Sequence, residues 1–145
     1  GINDGAAALL ICNREKADHL GLKPMLRWMG SASVGTDPRY FGYGPVPATE
    51  KLLKRFDLNI EDIGLVELNE AFAAQAIGCI RRLGLSLDNT NVNGGAIALG
   101  HPIGASGTRI LVTLIHEMVK QNKSKGCATL CIGGGMGIAI CIEKD

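Results

Sequence analysis

The chain has 145 residues, 46% hydrophobic and 20% charged, the balance of a globular domain and not of a disordered tail. A net charge of +1 offers no field toward nucleic acid or an anionic membrane, and 4% aromatic residues are too few for a platform that stacks single strands. No stretch is apolar for long enough to span a bilayer, and the start at Gly1, with neither Met nor a basic leader, reads as a chain cut from something longer.

Ala6 to Cys12 is a short continuous apolar run between Gly5 and Asn13, the pattern of a buried central strand. Glu15 to Leu20 reads as a short helix stopped at Gly21. A second strand covers Met25 to Val34, and a loop rich in Gly and Pro runs from Gly35 to Pro45. Pro47 sits at a helix start, and Leu52, Leu53 and Phe56 form one face of that helix. Ile63 to Leu68 is a third strand, followed at once by a helix from Glu70 to Leu83 that Gly84 closes.

After a glycine-rich loop, Ile110, Leu111, Leu114, Ile115, Met118 and Val119 recur at helical spacing, with Arg109, Thr113, His116 and Lys120 opposite. Two final runs, Cys127 to Ile132 and Gly137 to Ile142, are split by Gly133, Gly134 and Gly135. Strands alternating with helices and closing in a hairpin predict a layered α/β domain over residues 1–145, a mixed sheet covered by helices.

Five cysteines make an odd number without framework spacing, and Cys12, Cys131 and Cys141 lie inside apolar runs. They read as reduced thiols of a cytoplasmic protein. Cys127 and Cys131 face one side of a strand, but no second pair or spaced histidine completes a zinc site, so no metal is expected. The glycine runs lack the P-loop lysine and the Gly-x-Gly-x-x-Gly order, so neither nucleotide motif is present.

Three places carry possible chemistry. His101 stands in the loop Asn91 to Gly107, where glycines permit close approach and Pro102 fixes one dihedral beside the imidazole. Such a loop holds its histidine for either a structural hydrogen bond or proton transfer. Asn69 lies where a strand hands over to a helix; its plain role is the helix N-cap, although such corners also hold ligands in open α/β sheets. Cys131 precedes Ile132-Gly133-Gly134-Gly135. It is either a buried small hydrophobe or a thiol beside glycine N–H groups that form an oxyanion hole. His19 and His116, on helix surfaces, are given no role.

Together these places resemble one family. Asn69-Glu70-Ala71-Phe72, Asn93-Gly94-Gly95 through Gly100-His101-Pro102-Ile103-Gly104, and Cys131-Ile132-Gly133-Gly134-Gly135-Met136-Gly137 are similar in order and spacing to the signature blocks of thiolases. The resemblance covers essentially the whole chain and is to the C-terminal half of an acetyl-CoA acetyltransferase or 3-ketoacyl-CoA thiolase. It implies that His101 activates a nucleophilic cysteine and helps bind a thioester oxygen, and that Asn69 holds a water in the same oxyanion hole. It implies that Cys131 is the acid/base at the acetyl α-carbon and that the Gly133 N–H lines a second oxyanion hole. Ala71 and Phe72 would border the pantetheine and acyl part of coenzyme A. Phe41 stands where many members carry methionine by the acyl pocket.

The implied substrates are acetyl-CoA and 3-ketoacyl-CoA, with no separate cofactor, in a homo-oligomer. The acylated nucleophile belongs to the family's N-terminal half, which must be a partner, since no cysteine here sits in its motif. Gly1-Ile2-Asn3-Asp4-Gly5-Ala6 resembles a block that normally begins with serine, so the chain starts inside a motif. A non-catalytic acyl-CoA-binding or scaffolding module is the rival reading, and the complete histidine and cysteine set counts against it. A ketoacyl-synthase relative typically carries histidine or asparagine in place of Cys131.

Overall fold

Among the residues described by the computed structural model, 2–145, four strands form one sheet in the order β1-β4-β3-β2. They are Arg27–Gly35 (β1), Leu65–Leu68 (β2), Lys125–Ile132 (β3) and Met136–Glu143 (β4). β4 pairs antiparallel with both β1 and β3, while β2 and β3 run parallel. The expected mixed sheet with a closing hairpin is therefore present. Parallel strands cannot be joined by a tight turn, so the chain between β2 and β3 makes a long excursion that contains most of the candidate site. β1 is an edge strand with an irregularity between Trp28 and Gly30, a local break that discourages further pairing there.

The helices are Arg14–His19 (α1), Pro45–Arg55 (α2), Ala73–Leu83 (α3), Ala96–Leu99 (α4) and Ser106–Gln121 (α5). One face of the sheet, carrying Val66, Leu68, Cys127, Ala139 and Cys141, packs with Val46, Leu52 and Leu53 of α2 and Ala76, Cys79 and Leu83 of α3. The other face, with Leu65, Ala128 and Ile142, takes Ile110, Leu114 and Met118 of α5. Each fully buried aliphatic side chain in these layers contributes about 1.5–3 kcal/mol. The approach of α2 to the sheet depends on two glycines: a Cβ at Gly137 would strike the Gly44 backbone, and one at Gly44 would strike the Met136 carbonyl.

Several expectations are corrected. Ala6 to Cys12 is not a buried strand: it pairs with no strand among the described residues, and Leu10 and Ile11 are 84% and 73% exposed. Its apolar run favours burial, but the four-stranded sheet forms without it. The loop from Gly35 to Pro45 contains a 3₁₀ turn, Pro38–Tyr43, and α2 begins at Pro45 instead of Pro47. Arg109 faces inward, 3.5 Å from the buried Glu67, whereas Val119 is half exposed. Gly84 closes α3 in the left-handed region as expected. All five cysteines are free, with Cys12 exposed.

Candidate active site

The C-terminal ends of β2 and β3 lie side by side, the Asn69 N–H bonding to the Thr129 carbonyl at 2.9 Å. Asn69 comes directly after β2, and Cys131 stands two residues beyond Thr129 on β3, so both emerge at the edge where α/β sheets bind ligands. Asn69 is not a helix cap. α3 starts at Ala73 with Phe72 in the capping position, and the Asn69 side chain is fully buried and turned toward His101.

His101 is held at both ring nitrogens. Its Nδ1 lies 2.5 Å from Ser106 Oγ, and its Nε2 lies 3.3 Å from Asn69 Nδ2. Ser106 donates its single hydroxyl proton to the Pro102 carbonyl at 3.0 Å, so Oγ has only lone pairs left for the imidazole. Nδ1 therefore carries the proton, and Nε2 presents a lone pair that accepts from the Asn69 amide. The backbone N–H of His101 is fixed as well, donating to Asn3 Oδ1 at 3.0 Å. Asn69 Oδ1 is buried without a protein partner, an acceptor whose desolvation typically costs about 1–3 kcal/mol.

The loop before His101 is tied down at several points. The Asn91 amide exchanges hydrogen bonds with both backbone groups of Leu68, at 2.9 and 2.8 Å, extending the sheet edge with a side chain. Glu70 accepts from Asn91 Nδ2 and from the Ile97 N–H, both at 3.0 Å. Asn93 donates to Glu117 of α5 at 2.9 Å and, as the main cause, holds that carboxyl below its usual range.

Cys131 is half-buried, and burial pushes its thiol above the ordinary value, so it is protonated at neutral pH. It shares the α3 side of the sheet with Cys127, as expected. Phe41, on the 3₁₀ turn, meets Phe72 edge to face with ring centroids 6.1 Å apart, and both rings are largely exposed. Ala71 lies beside Phe72, partly buried. The Cys79 thiol of α3 donates to the Gly42 carbonyl at 3.5 Å and so secures the turn that carries Phe41. Gly133 lies exposed in the β3–β4 turn.

Two pairs are thus in contact, Asn69 with His101 and Phe41 with Phe72. Among the described residues no hydrogen bond joins Cys131 or Gly133 to either pair. Gly1, at the head of the block that lacks its serine, lies outside the described residues. Sequence reading misses Ser106, whose only signal is a serine opening an amphipathic helix five residues after the histidine.

The sequence model described as "Thiolase, C-terminal domain" matches residues 22–144. The chain is 59% identical over 144 residues to the acetyl-CoA acetyltransferase of Chromobacterium violaceum and 57% identical over 144 residues to that of Escherichia coli. These alignments take in 99% of the chain but only 37% and 36% of the relatives' lengths, so the chain spans little more than a third of them. Among solved structures, it matches the Bacillus anthracis acetyl-CoA acetyltransferase at a TM-score of 0.88 and 48% identity, over 90% of the chain and 33% of that protein. Human mitochondrial 3-ketoacyl-CoA thiolase in complex with CoA matches at a TM-score of 0.89 and 44% identity, over 91% of the chain and 34% of that protein. The fold, the three sequence blocks and these relatives agree, and the chain belongs to the thiolase family, matching the C-terminal half of a thiolase.

Proposed function

We propose that residues 1–145 form the C-terminal catalytic domain of a thiolase, which condenses two acetyl-CoA to acetoacetyl-CoA and CoA or runs the reverse thiolysis of a 3-ketoacyl-CoA. The relatives named as acetyl-CoA acetyltransferases and the thiolase structure with CoA support the substrate class. The observation that carries the chemistry is the imidazole of His101, fixed at Nδ1 by Ser106 with the Nε2 lone pair beside Asn69.

That lone pair is the base for a cysteine thiol delivered by the N-terminal half. The thiolate attacks the thioester carbonyl of acetyl-CoA, giving an acetyl-cysteine and CoA thiolate. Once protonated, Nε2–H donates to a thioester oxygen, and the orphaned Asn69 Oδ1 anchors a water that donates to the same oxygen. Cys131 starts as the thiol and gives its proton to the departing CoA thiolate. As thiolate it then removes a proton from the α-carbon of the second acetyl-CoA, whose enolate attacks the acetyl-cysteine and expels the cysteine. The Gly133 N–H lines a second oxyanion hole, for the carbonyl oxygen of the acetyl-cysteine under attack. Phe41, Ala71 and Phe72 line the pantetheine and acyl path. The cycle needs no metal or organic cofactor, and the whole protein is a cytoplasmic homo-oligomer. No helix among the described residues is long and apolar enough to cross a membrane.

The test is reconstitution. The chain alone should give no thiolysis of acetoacetyl-CoA, because it lacks the nucleophile. Mixing it with the N-terminal half of an acetyl-CoA acetyltransferase should produce acetyl-CoA, and Cys131→Ser should abolish that product. Turnover by the chain alone, or full activity of the reconstituted Cys131→Ser variant, would overturn the reading.

A further inference from the structure

We propose that Glu70 is a positioning residue that sets the distance between Asn69 and His101; this rests on the reading of those two as the working pair. Glu70 is adjacent to Asn69 in the chain, yet its carboxylate reaches into the opposite wall of the site. One oxygen accepts from Asn91 Nδ2 and the other from the backbone N–H of Ile97, each at 3.0 Å. Charged acceptors form the stronger class of hydrogen bond, and here both oxygens are used.

The contact at Ile97 bears on the imidazole through α4. Ile97 lies in that helix, which closes with the Gly100 N–H bonding to the Ala96 carbonyl at 2.8 Å, and the next residue is His101. Glu70 thus holds the turn that delivers the imidazole, while its own backbone continues from Asn69. The contact at Asn91 adds a second tie, since that amide also brackets the end of β2 at Leu68.

Space around the carboxylate is reserved by Gly95. A Cβ there would overlap all three carboxyl atoms of Glu70, so a side chain at this point would displace the carboxylate from its two donors. The glycine at that point of the loop serves the clasp and not the imidazole directly. Glu70 does not touch the reacting atoms; its effect passes through the loop.

The experiment is nuclear magnetic resonance on the ligand-free chain, where no turnover is needed. In the unmodified chain, a through-hydrogen-bond coupling should connect the Ile97 amide nitrogen to the Glu70 carboxyl carbon, and its absence would overturn the proposal. In Glu70→Gln, which keeps the volume but turns an amide NH₂ against one donor, Ile97 amide exchange should rise at least about tenfold. The Nε2 resonance of His101 should move as the Asn69 contact lengthens, while the buried amides of Leu114 and Cys127 keep their exchange rates. If that variant does not fold, Glu70→Asp, which withdraws the same carboxylate by one methylene, is read by the same criteria. An unmoved His101 resonance with a faster Ile97 amide would overturn the proposal. A shifted resonance in the variant, with the unmodified chain inactive on reconstitution, would leave Glu70 as the positioning residue and count against the catalytic reading instead.

Discussion

Ser106 Oγ sits 2.5 Å from His101 Nδ1 while donating its own proton to the Pro102 carbonyl, so a serine chooses the tautomer of the imidazole. Ser106→Ala removes that acceptor. The expected result is a mixture of both neutral tautomers in the imidazole nitrogen spectrum and about a tenfold loss of kcat in the reconstituted enzyme, the worth of one hydrogen bond. A single unchanged tautomer in the variant would show that Ser106 does not set it.

Glu67 gives the chain a pH-dependent stability. Burial, the largest cause, pushes its carboxyl up to about 7 against the attraction of Arg109, with Glu70 and Glu117 adding repulsion. In the unfolded chain the same group ionises near its ordinary value, about 4.3. Between those values the folded state binds more protons than the unfolded one, so stability falls as pH rises through this window and levels off above it. The loss is on the order of 3–4 kcal/mol. Denaturant melts at intervals from pH 5 to 8 should show this slope, and Glu67→Gln should flatten it. An identical slope in the variant would place its origin elsewhere.

The thiol of Cys131 is protonated at neutral pH because burial raises it, whereas Cys12 lies exposed. Alkylation and subsequent peptide mapping at pH 7 should modify Cys12 well before Cys131. The rate at Cys131 should still be climbing past about pH 9. A plateau at Cys131 below pH 8 would contradict the raised value.

Gly137→Ala forces a methyl group against the backbone of Gly44, which cannot rotate away as a side chain would. Overpacking of this kind costs about 1–3 kcal/mol, seen as a lower denaturation midpoint with an unchanged slope. Ala at Gly133, where added atoms meet nothing within 4 Å, should leave stability within about 0.5 kcal/mol. Equal effects at the two positions would show that the close approach of Gly44 and Gly137 does not limit the packing of α2.

Leu52→Ala removes a side chain that is 1% exposed in the layer between α2 and the sheet, and should cost about 2–5 kcal/mol. Leu87→Ala, at a position 72% exposed, should be close to neutral by the same melts.

Features set by local pattern are legible in the sequence. The run ending at Leu68 is buried from Leu65 onward, and the glycines after Ile132 make the hairpin turn, so spacing alone reveals both. Ile110, Leu114 and Met118 repeat at helical intervals and are buried as that repeat requires. Asn69 reads as a cap because capping is judged from neighbours, whereas its real partner, His101, is 32 residues away. Arg109 is misplaced for the same reason: Glu67 lies 42 residues earlier, and nothing in the helical repeat announces it. Ala6 to Cys12 shows the opposite failure, since apolar character says that a segment favours burial but not which surface will cover it.

The two strands whose ends frame the site are the sheet's parallel pair, and the connection between them contains Asn69, Glu70, His101 and Ser106. A hairpin there would have left no room for any of them. The division has a practical side for engineering. Residues of the edge strand β1 can be altered to adjust robustness, because Asn69, His101 and Ser106 all lie outside it. Insertions between Ile97 and Ser106 would change the spacing of His101 from Asn69 and from Ser106.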